Sequence, residues 1–208
     1  MAQVLFVKGN NRPIEQSATV KLYESFLKTY KETHPEDQIT ELNLFEVELP
    51  YYDNDMLTGL YKLGNGYPLT PEEEKAAGIA NGYLDQFLAA DKVVFAFPLW
   101  NFTIPAQLLT YMFYLSQAGK TFKYTAEGPV GLVGDKKVAL LQARGGVYSE
   151  APMSAVEMSM NYMKASLNFW GIKNPEEVVV EGHNQFPDRA EQIVQDAVKR
   201  AAELAAKF

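Results

Sequence analysis

The stretch Val4-Leu5-Phe6-Val7-Lys8-Gly9-Asn10-Asn11-Arg12-Pro13-Ile14-Glu15-Gln16-Ser17-Ala18-Thr19-Val20 decides the fold. Its first four residues are a short, continuous apolar run, the pattern of a strand buried on both faces. A polar loop follows, and Ser17 offers a side-chain oxygen to cap a helix reaching about Thr33. Within that helix Val20, Tyr23, Leu27 and Tyr30 recur at helical spacing. A buried strand handed to an amphipathic helix is one β–α unit.

The unit repeats along the chain. Ile39 to Phe45 alternates as a second strand, nearer an edge. Thr70-Pro71-Glu72-Glu73 is a helix start, with an N-cap, a proline at the first helical position and acids in the first turn. That helix runs through Leu88 and delivers a third strand, Lys92 to Phe97, which Pro98 ends. Pro105 opens a helix through about Gln117, with Gly119 past its end. Lys137 to Gln142 is a fourth strand, Met153 to Trp170 a helix, Glu177 to Val180 a fifth strand and Pro187 to Phe208 a closing helix. Strands alternating with helices predict a parallel sheet with right-handed crossovers. Five of them predict an α/β, flavodoxin-like, three-layer αβα fold of strand order 2-1-3-4-5, as a single domain over residues 1–208.

Two segments stand outside this rhythm. Residues 46–70 hold Pro50, Gly59, Gly64, Gly66 and Pro68 among Tyr51, Tyr52, Met56, Leu60, Tyr61 and Tyr67. They read either as a loop packed by its own side chains or as a pocket wall or lid. Residues 119–136 read as a loop with a small hairpin.

Composition narrows the function. Nineteen basic against 26 acidic residues leave a net charge of −7, which argues against nucleic acid or an anionic membrane as partner. The absence of cysteine excludes disulfides, thiolate catalysis and cysteine metal sites. No apolar run approaches the roughly 20 residues that cross a bilayer, and Met1-Ala2-Gln3 leads straight into the first strand. A soluble, cytoplasmic protein is expected.

The helix over 153–170 carries two apolar stripes, Val156, Met160, Met163, Leu167 and Trp170, and Met158, Tyr162, Ala165 and Phe169. The helix opened by Pro105 shows the same excess, so both need cover on nearly all sides. A homodimer interface is the preferred cover, and one of the two irregular segments the alternative.

In such sheets ligands bind at the carboxyl ends of the strands where strand order reverses. The loop over Gly9–Thr19 is polar and ends at a helix N-terminus, where free amides favour an anion. It carries neither the Walker A nor the dinucleotide glycine pattern. Pro98-Leu99-Trp100-Asn101-Phe102-Thr103-Ile104-Pro105 puts large apolar residues beside amides that suit the edge of a flat heterocycle. Ala143-Arg144-Gly145-Gly146 allows close backbone approach, and Arg144 offers a charge for a phosphate or an electron-rich ring edge. Only two histidines exist, His34 and His183, neither with metal-ligand company; His183 follows the fifth strand, where it would flank the pocket. A site poor in acid–base groups suits a protein whose cofactor carries the chemistry.

At these loops the chain closely resembles the FMN-dependent NADH-azoreductase family of bacterial quinone and azo-dye reductases. The motifs are Pro98-Leu99-Trp100-Asn101-Phe102, Ala118-Gly119-Lys120-Thr121-Phe122-Lys123-Tyr124-Thr125 with Gly128-Pro129, and Ala143-Arg144-Gly145-Gly146. The resemblance implies that Ser17, Ala18 and Thr19 hold an FMN phosphate, one FMN per subunit. It implies that Leu99, Trp100, Asn101 and Phe102 hold the flavin and ribityl chain, and that Ala143, Arg144, Gly145 and Gly146 meet the isoalloxazine edge. Tyr124 and Phe169 would contact substrate, Phe169 from the partner of a homodimer or near the interface. NADH or NADPH would deliver two electrons and leave before a quinone or azo compound takes its place. A non-catalytic flavodoxin-type electron carrier is the alternative, and a hydrolase on the same fold a weaker one. Relatives often carry serines where this chain has Gly9-Asn10-Asn11, and Ser-x-Ser where it has Ser17-Ala18-Thr19. Thr19, Asn10 or backbone amides are expected to compensate, weaker FMN retention being the other outcome.

Overall fold

The computed structural model describes residues 1–208. The strands β1 (Gln3–Lys8), β2 (Gln38–Asn43), β3 (Lys92–Pro98), β6 (Lys137–Arg144) and β7 (Glu176–Glu181) form one parallel sheet in the order β2-β1-β3-β6-β7. With the hairpin β4 (Phe122–Thr125) and β5 (Gly128–Gly131) set aside, this is the expected 2-1-3-4-5 order. Order reverses at β1, whose neighbours are β2 and β3.

Both faces of the sheet are covered, for the reason legible in Val4–Val7: alternate side chains feed opposite cores. Leu5 and Val7 join Val93, Phe95, Phe97, Val138 and Leu140 under α3 (Pro71–Ala89), α4 (Ala106–Leu115) and α5 (Ser159–Phe169). Val4 and Phe6 join Val94, Ala96, Ala139 and Leu141 under α1 (Ala18–Thr33) and α6 (Ala190–Ala205). No helix is long and apolar enough to cross a membrane.

Two elements differ from the sequence reading. The 46–70 segment contains a helix, α2 (Asn54–Asn65), capped by the Asp53 carboxylate on the Met56 amide at 3.0 Å and stopped by left-handed Gly66. Its interior glycines mask it, since glycine weakens an isolated helix by about 1 kcal/mol. Here Gly59 instead lets α2 approach α3, because a Cβ there would lie 2.5 Å from the Glu73 carbonyl oxygen. Lys62 then pairs with the Glu73 carboxylate at 2.7 Å, the same carboxylate that completes the capping box of α3.

The helix expected over 153–170 breaks in two, a 3-10 turn at Met153–Val156 and then α5. Glu157 makes the break. Its carboxylate accepts the Met160 amide at 3.0 Å and the Asn161 amide at 3.2 Å, capping the new N-terminus. Val156 therefore leaves the first stripe, while Met160, Met163, Leu167 and Trp170 stay buried. In the second stripe Met158 and Phe169 are exposed, as is Phe113 on α4. Phe122 of the hairpin reaches Phe169, with ring centroids 4.6 Å apart, but leaves most of that face open.

Candidate functional site

The loops after β1, β3 and β6 meet at the carboxyl end of the sheet. Asn10, Ser17, Ala18, Thr19, Leu99, Trp100 and Ala143 line one cavity of about 200 Å³. Leu99, Asn101, Phe102, Gly145, Gly146 and Tyr148 line an adjoining one of about 480 Å³. Ten of the eleven predicted cofactor residues thus border one continuous cleft.

The end nearest α1 is built for an anion. Ser17 caps the helix by accepting the Val20 amide at 3.2 Å, and buried Asn10 donates to the same hydroxyl at 2.9 Å. The amides of Ala18 and Thr19 accept no partner from the backbone and stay available. The first turn of α1 holds no acidic residue, whereas that of α3 holds Glu72, Glu73 and Glu74. The helix dipole at α1 is left free for an outside negative charge.

The middle of the cleft is a strained turn. Trp100 and Thr103 exchange backbone hydrogen bonds of 2.9 and 3.0 Å around Asn101 and Phe102, whose φ angles are 47° and 69°. Two consecutive left-handed residues define a tight hairpin turn that Asn tolerates and Phe does not. The strain aims a half-exposed aromatic ring over the cavity, and Met158 fixes it by donating its amide to the Phe102 carbonyl at 2.9 Å. Phe102→Gly is expected to raise stability by roughly 0.5–1 kcal/mol, since little buried area is lost and the backbone relaxes. Flavin binding should weaken about fivefold through the lost aromatic contact. Thermal melting and flavin-fluorescence titration check both; a lower melting temperature would contradict the strain.

At the far end the structure adds a fourth loop, Gly182–Phe186, after β7. The Gly145 carbonyl accepts the Asn184 amide at 2.9 Å and the Gln185 amide at 3.2 Å, and Gln185 Oε1 accepts the Val147 amide at 2.9 Å. A Cβ on Gly145 would sit 2.5 Å from Asn184 Nδ2, so the glycine is required for this clasp. His183, Asn184 and Gln185 all face the cleft. Only His183 carried a signal in the sequence, its place just past a strand end. Its Nδ1 is buried without a partner, and burial, then the charge of Lys21, holds its pKa below the usual value.

Arg144 is the predicted residue that goes elsewhere. Its guanidinium lines neither cavity. It is buried between two carboxylates, with Nε 2.9 Å from Glu181 Oε2, although not aligned as a hydrogen bond, and Nη1 3.9 Å from Glu157 Oε1. The Glu181 carboxylate also accepts the amides of Tyr148 at 3.0 Å and Ser149 at 3.2 Å. Burial raises the pKa of Glu181, but these donors and Arg144 together bring it below the usual value. The guanidinium braces the loop that follows it, and only the backbone of residue 144 remains for a ring edge.

Tyr124 and Phe169 come together with each other, both packed on Phe122 at centroid distances of 5.5 and 4.6 Å. Neither borders the cleft of its own chain.

A family model described as a flavodoxin-like fold matches residues 2–205. An FMN-dependent NADH:quinone oxidoreductase of Brevibacillus brevis is 64% identical over 208 residues, all of both chains, and one from Listeria innocua is 62% identical over the same span. Among solved structures, an azoreductase from Bacillus anthracis str. Sterne superposes with a TM-score of 0.98 at 60% identity, covering all of both chains. An FMN-dependent NADH-azoreductase from Bacillus anthracis str. Ames Ancestor, in complex with FMN, gives 0.89 at 32% identity over 100% of this chain and 99% of that one. The chain belongs to the flavodoxin-like family that contains the FMN-dependent NADH:quinone oxidoreductases and NADH-azoreductases.

Proposed function

We propose that this protein is a cytoplasmic, homodimeric FMN-dependent oxidoreductase that uses NADH to reduce quinones and azo compounds. The observation that carries the reading is the single cleft in which three strand-end loops join free helix amides to an aromatic-walled slot. The names of the close relatives support the same donor, cofactor and acceptors, and they set aside the non-catalytic carrier.

The residues present fit FMN. The unpartnered amides at Ala18 and Thr19 suit a phosphate, Gly145 and Gly146 let the backbone approach a ring, and His183 Nδ1 is a buried polar atom without a partner. Bound FMN supplies the two-electron chemistry, accepting from NADH and passing on to the acceptor. The chain's own work is positioning. Leu99, Trp100 and Asn101 hold the ribityl chain and ring along the end of β3, and the backbone of 143–146 lies against the ring edge. Phe102 and Tyr148, with ring centroids 6.4 Å apart, wall the slot against water.

The open face of one chain supports the dimer. Phe113, Tyr124, Met158 and Phe169 are all exposed and belong to α4, α5, the turn leading into α5 and the β4–β5 hairpin. Two copies joined there would bring Tyr124 and Phe169 of one chain to the cleft of the other. Gel filtration should give twice the chain mass, and Phe169→Glu should shift it to monomer by burying a charge. A wild-type monomer would remove the dimer from the proposal. The test of the function is the visible spectrum of the purified protein. A yellow solution that NADH bleaches without oxygen, and a quinone restores, is expected; a colourless protein that takes up no FMN overturns it.

A further inference from the structure

We infer that His183, on the loop after β7, is a ligand of the FMN phosphate, completing from the fourth loop a clasp that the β1–α1 loop leaves short of donors. The inference rests on the FMN reading above.

The shortage is visible at each position of the β1–α1 loop. Ser17 Oγ already accepts from Asn10 Nδ2 at 2.9 Å and from the Val20 amide at 3.2 Å, so it has one proton left to give. Ala18 brings no side-chain donor. Asn10 is buried and fully used: its amide nitrogen serves Ser17, and its oxygen accepts the Arg12 amide at 3.0 Å. A phosphate carrying close to two charges, on a protein of net charge −7, needs more than two free amides and one hydroxyl.

His183 lines the same cavity as Ser17, Ala18 and Thr19. Its ring holds a buried nitrogen, Nδ1, that has no partner anywhere in the chain. Buried nitrogens of this kind are rarely left unpaired without a reason. The surroundings point to an anion as the missing partner. From α1, Lys21 lies close enough to oppose a positive imidazole, and Arg12 of the β1–α1 loop borders the same cavity. The neighbouring carboxylate of the same strand end, Glu181, turns away to Arg144, Tyr148 and Ser149. The loop after β6 contributes glycines, not charges, on this side. Three basic side chains therefore converge with no carboxylate among them. In the empty cleft this arrangement keeps the imidazole neutral; an arriving phosphate compensates Lys21 and rewards protonation of the ring.

Only one other histidine exists, and it reports on nothing in the cleft. His34 caps the opposite end of α1 and stacks on Tyr30 at 4.3 Å. Proton NMR of the full-length protein therefore shows two imidazole signals, assigned by His34→Gln. With FMN bound, His183 should titrate at higher pH than with riboflavin bound, while His34 titrates alike in both. Equal titration of His183 in the two forms overturns the inference. In flavin-fluorescence titrations, His183→Ala should weaken FMN about tenfold and leave riboflavin unchanged. Equal weakening of both ligands assigns His183 a purely structural role, and no weakening of either removes it from the site; both results overturn the inference. If the wild-type protein binds neither flavin, the FMN reading itself fails, an outcome distinct from wild-type FMN binding that is indifferent to His183.

Discussion

Arg144→Met is expected to destabilise the protein by about 3 kcal/mol and to weaken FMN binding, although the side chain touches no part of the cleft. The guanidinium is buried, and removing it strands Glu181 and, farther off, Glu157 as carboxylates with no cation beside them. Breaking one side of such a pair costs more than the pair contributes, because the remaining charge keeps its desolvation penalty. Arg144→Met combined with Glu181→Gln should therefore recover much of the loss. The pH dependence follows from Glu181, whose pKa in the folded chain is lowered. A lowered carboxyl contributes stability above its unfolded value of about 4.3, and that contribution is lost as pH falls through the folded value. The gap between wild type and Arg144→Met should accordingly be full at neutral pH and close in acid. The effect on FMN arises because Glu181 also holds the Tyr148 and Ser149 amides, which fix the loop beside the cleft. Denaturant unfolding at neutral and acid pH, with flavin titration alongside, measures both. A gap that widens in acid would show that Arg144 is not bracing a carboxylate.

Arg144 also marks a limit of reading chemistry from a string of residues. An arginine beside paired glycines at a strand end looks like a ligand-facing charge. The residues that turn it inward, Glu157 and Glu181, lie on other elements and carry no local signal toward it. The same holds for Asn184 and Gln185, which join the site only because Gly145 accepts their amides. By contrast, the sheet order, the placing of α1, α3 and α4 and the three principal loops were all legible. Their evidence is local: the continuous run Val4–Val7, the Thr70 capping box and Pro98 closing β3. The helix α2 was hidden because Gly59 and Gly64 lower local propensity, and packing on α3 overrides it. The break before α5 was hidden because Glu157 continues a helical pattern in sequence while its carboxylate caps the next turn.

The second large effect lies at Gly131, where sequence suggests only turn chemistry in Gly128-Pro129-Val130-Gly131. A Cβ built there falls 2.1 Å from both the Gly171 nitrogen and the Trp170 carbonyl carbon, and 2.4 Å from the Trp170 carbonyl oxygen. These are backbone atoms, so no rotamer change can relieve the overlap. The backbone cannot retreat easily either. The Trp170 carbonyl accepts the Val133 amide at 3.1 Å, and the Trp170 side chain is among the largest fully buried in the chain. Gly131→Ala should therefore cost about 3 kcal/mol, a fall in melting temperature of roughly 6–12 °C for a chain of this size. The hairpin that moves carries Tyr124, and Phe169 precedes the corner it moves from, so the exposed aromatic face should be disturbed as well. Gly64→Ala is the matched control. It adds the same methyl group inside α2, where nothing lies within 4 Å, and should stabilise by about 0.5–1 kcal/mol through helix propensity. One substitution made at two glycines thus gains opposite signs from geometry alone. Thermal melts of the two variants decide it, and a Gly131→Ala protein as stable as wild type would mean that the hairpin does not dock on the Trp170–Gly171 corner.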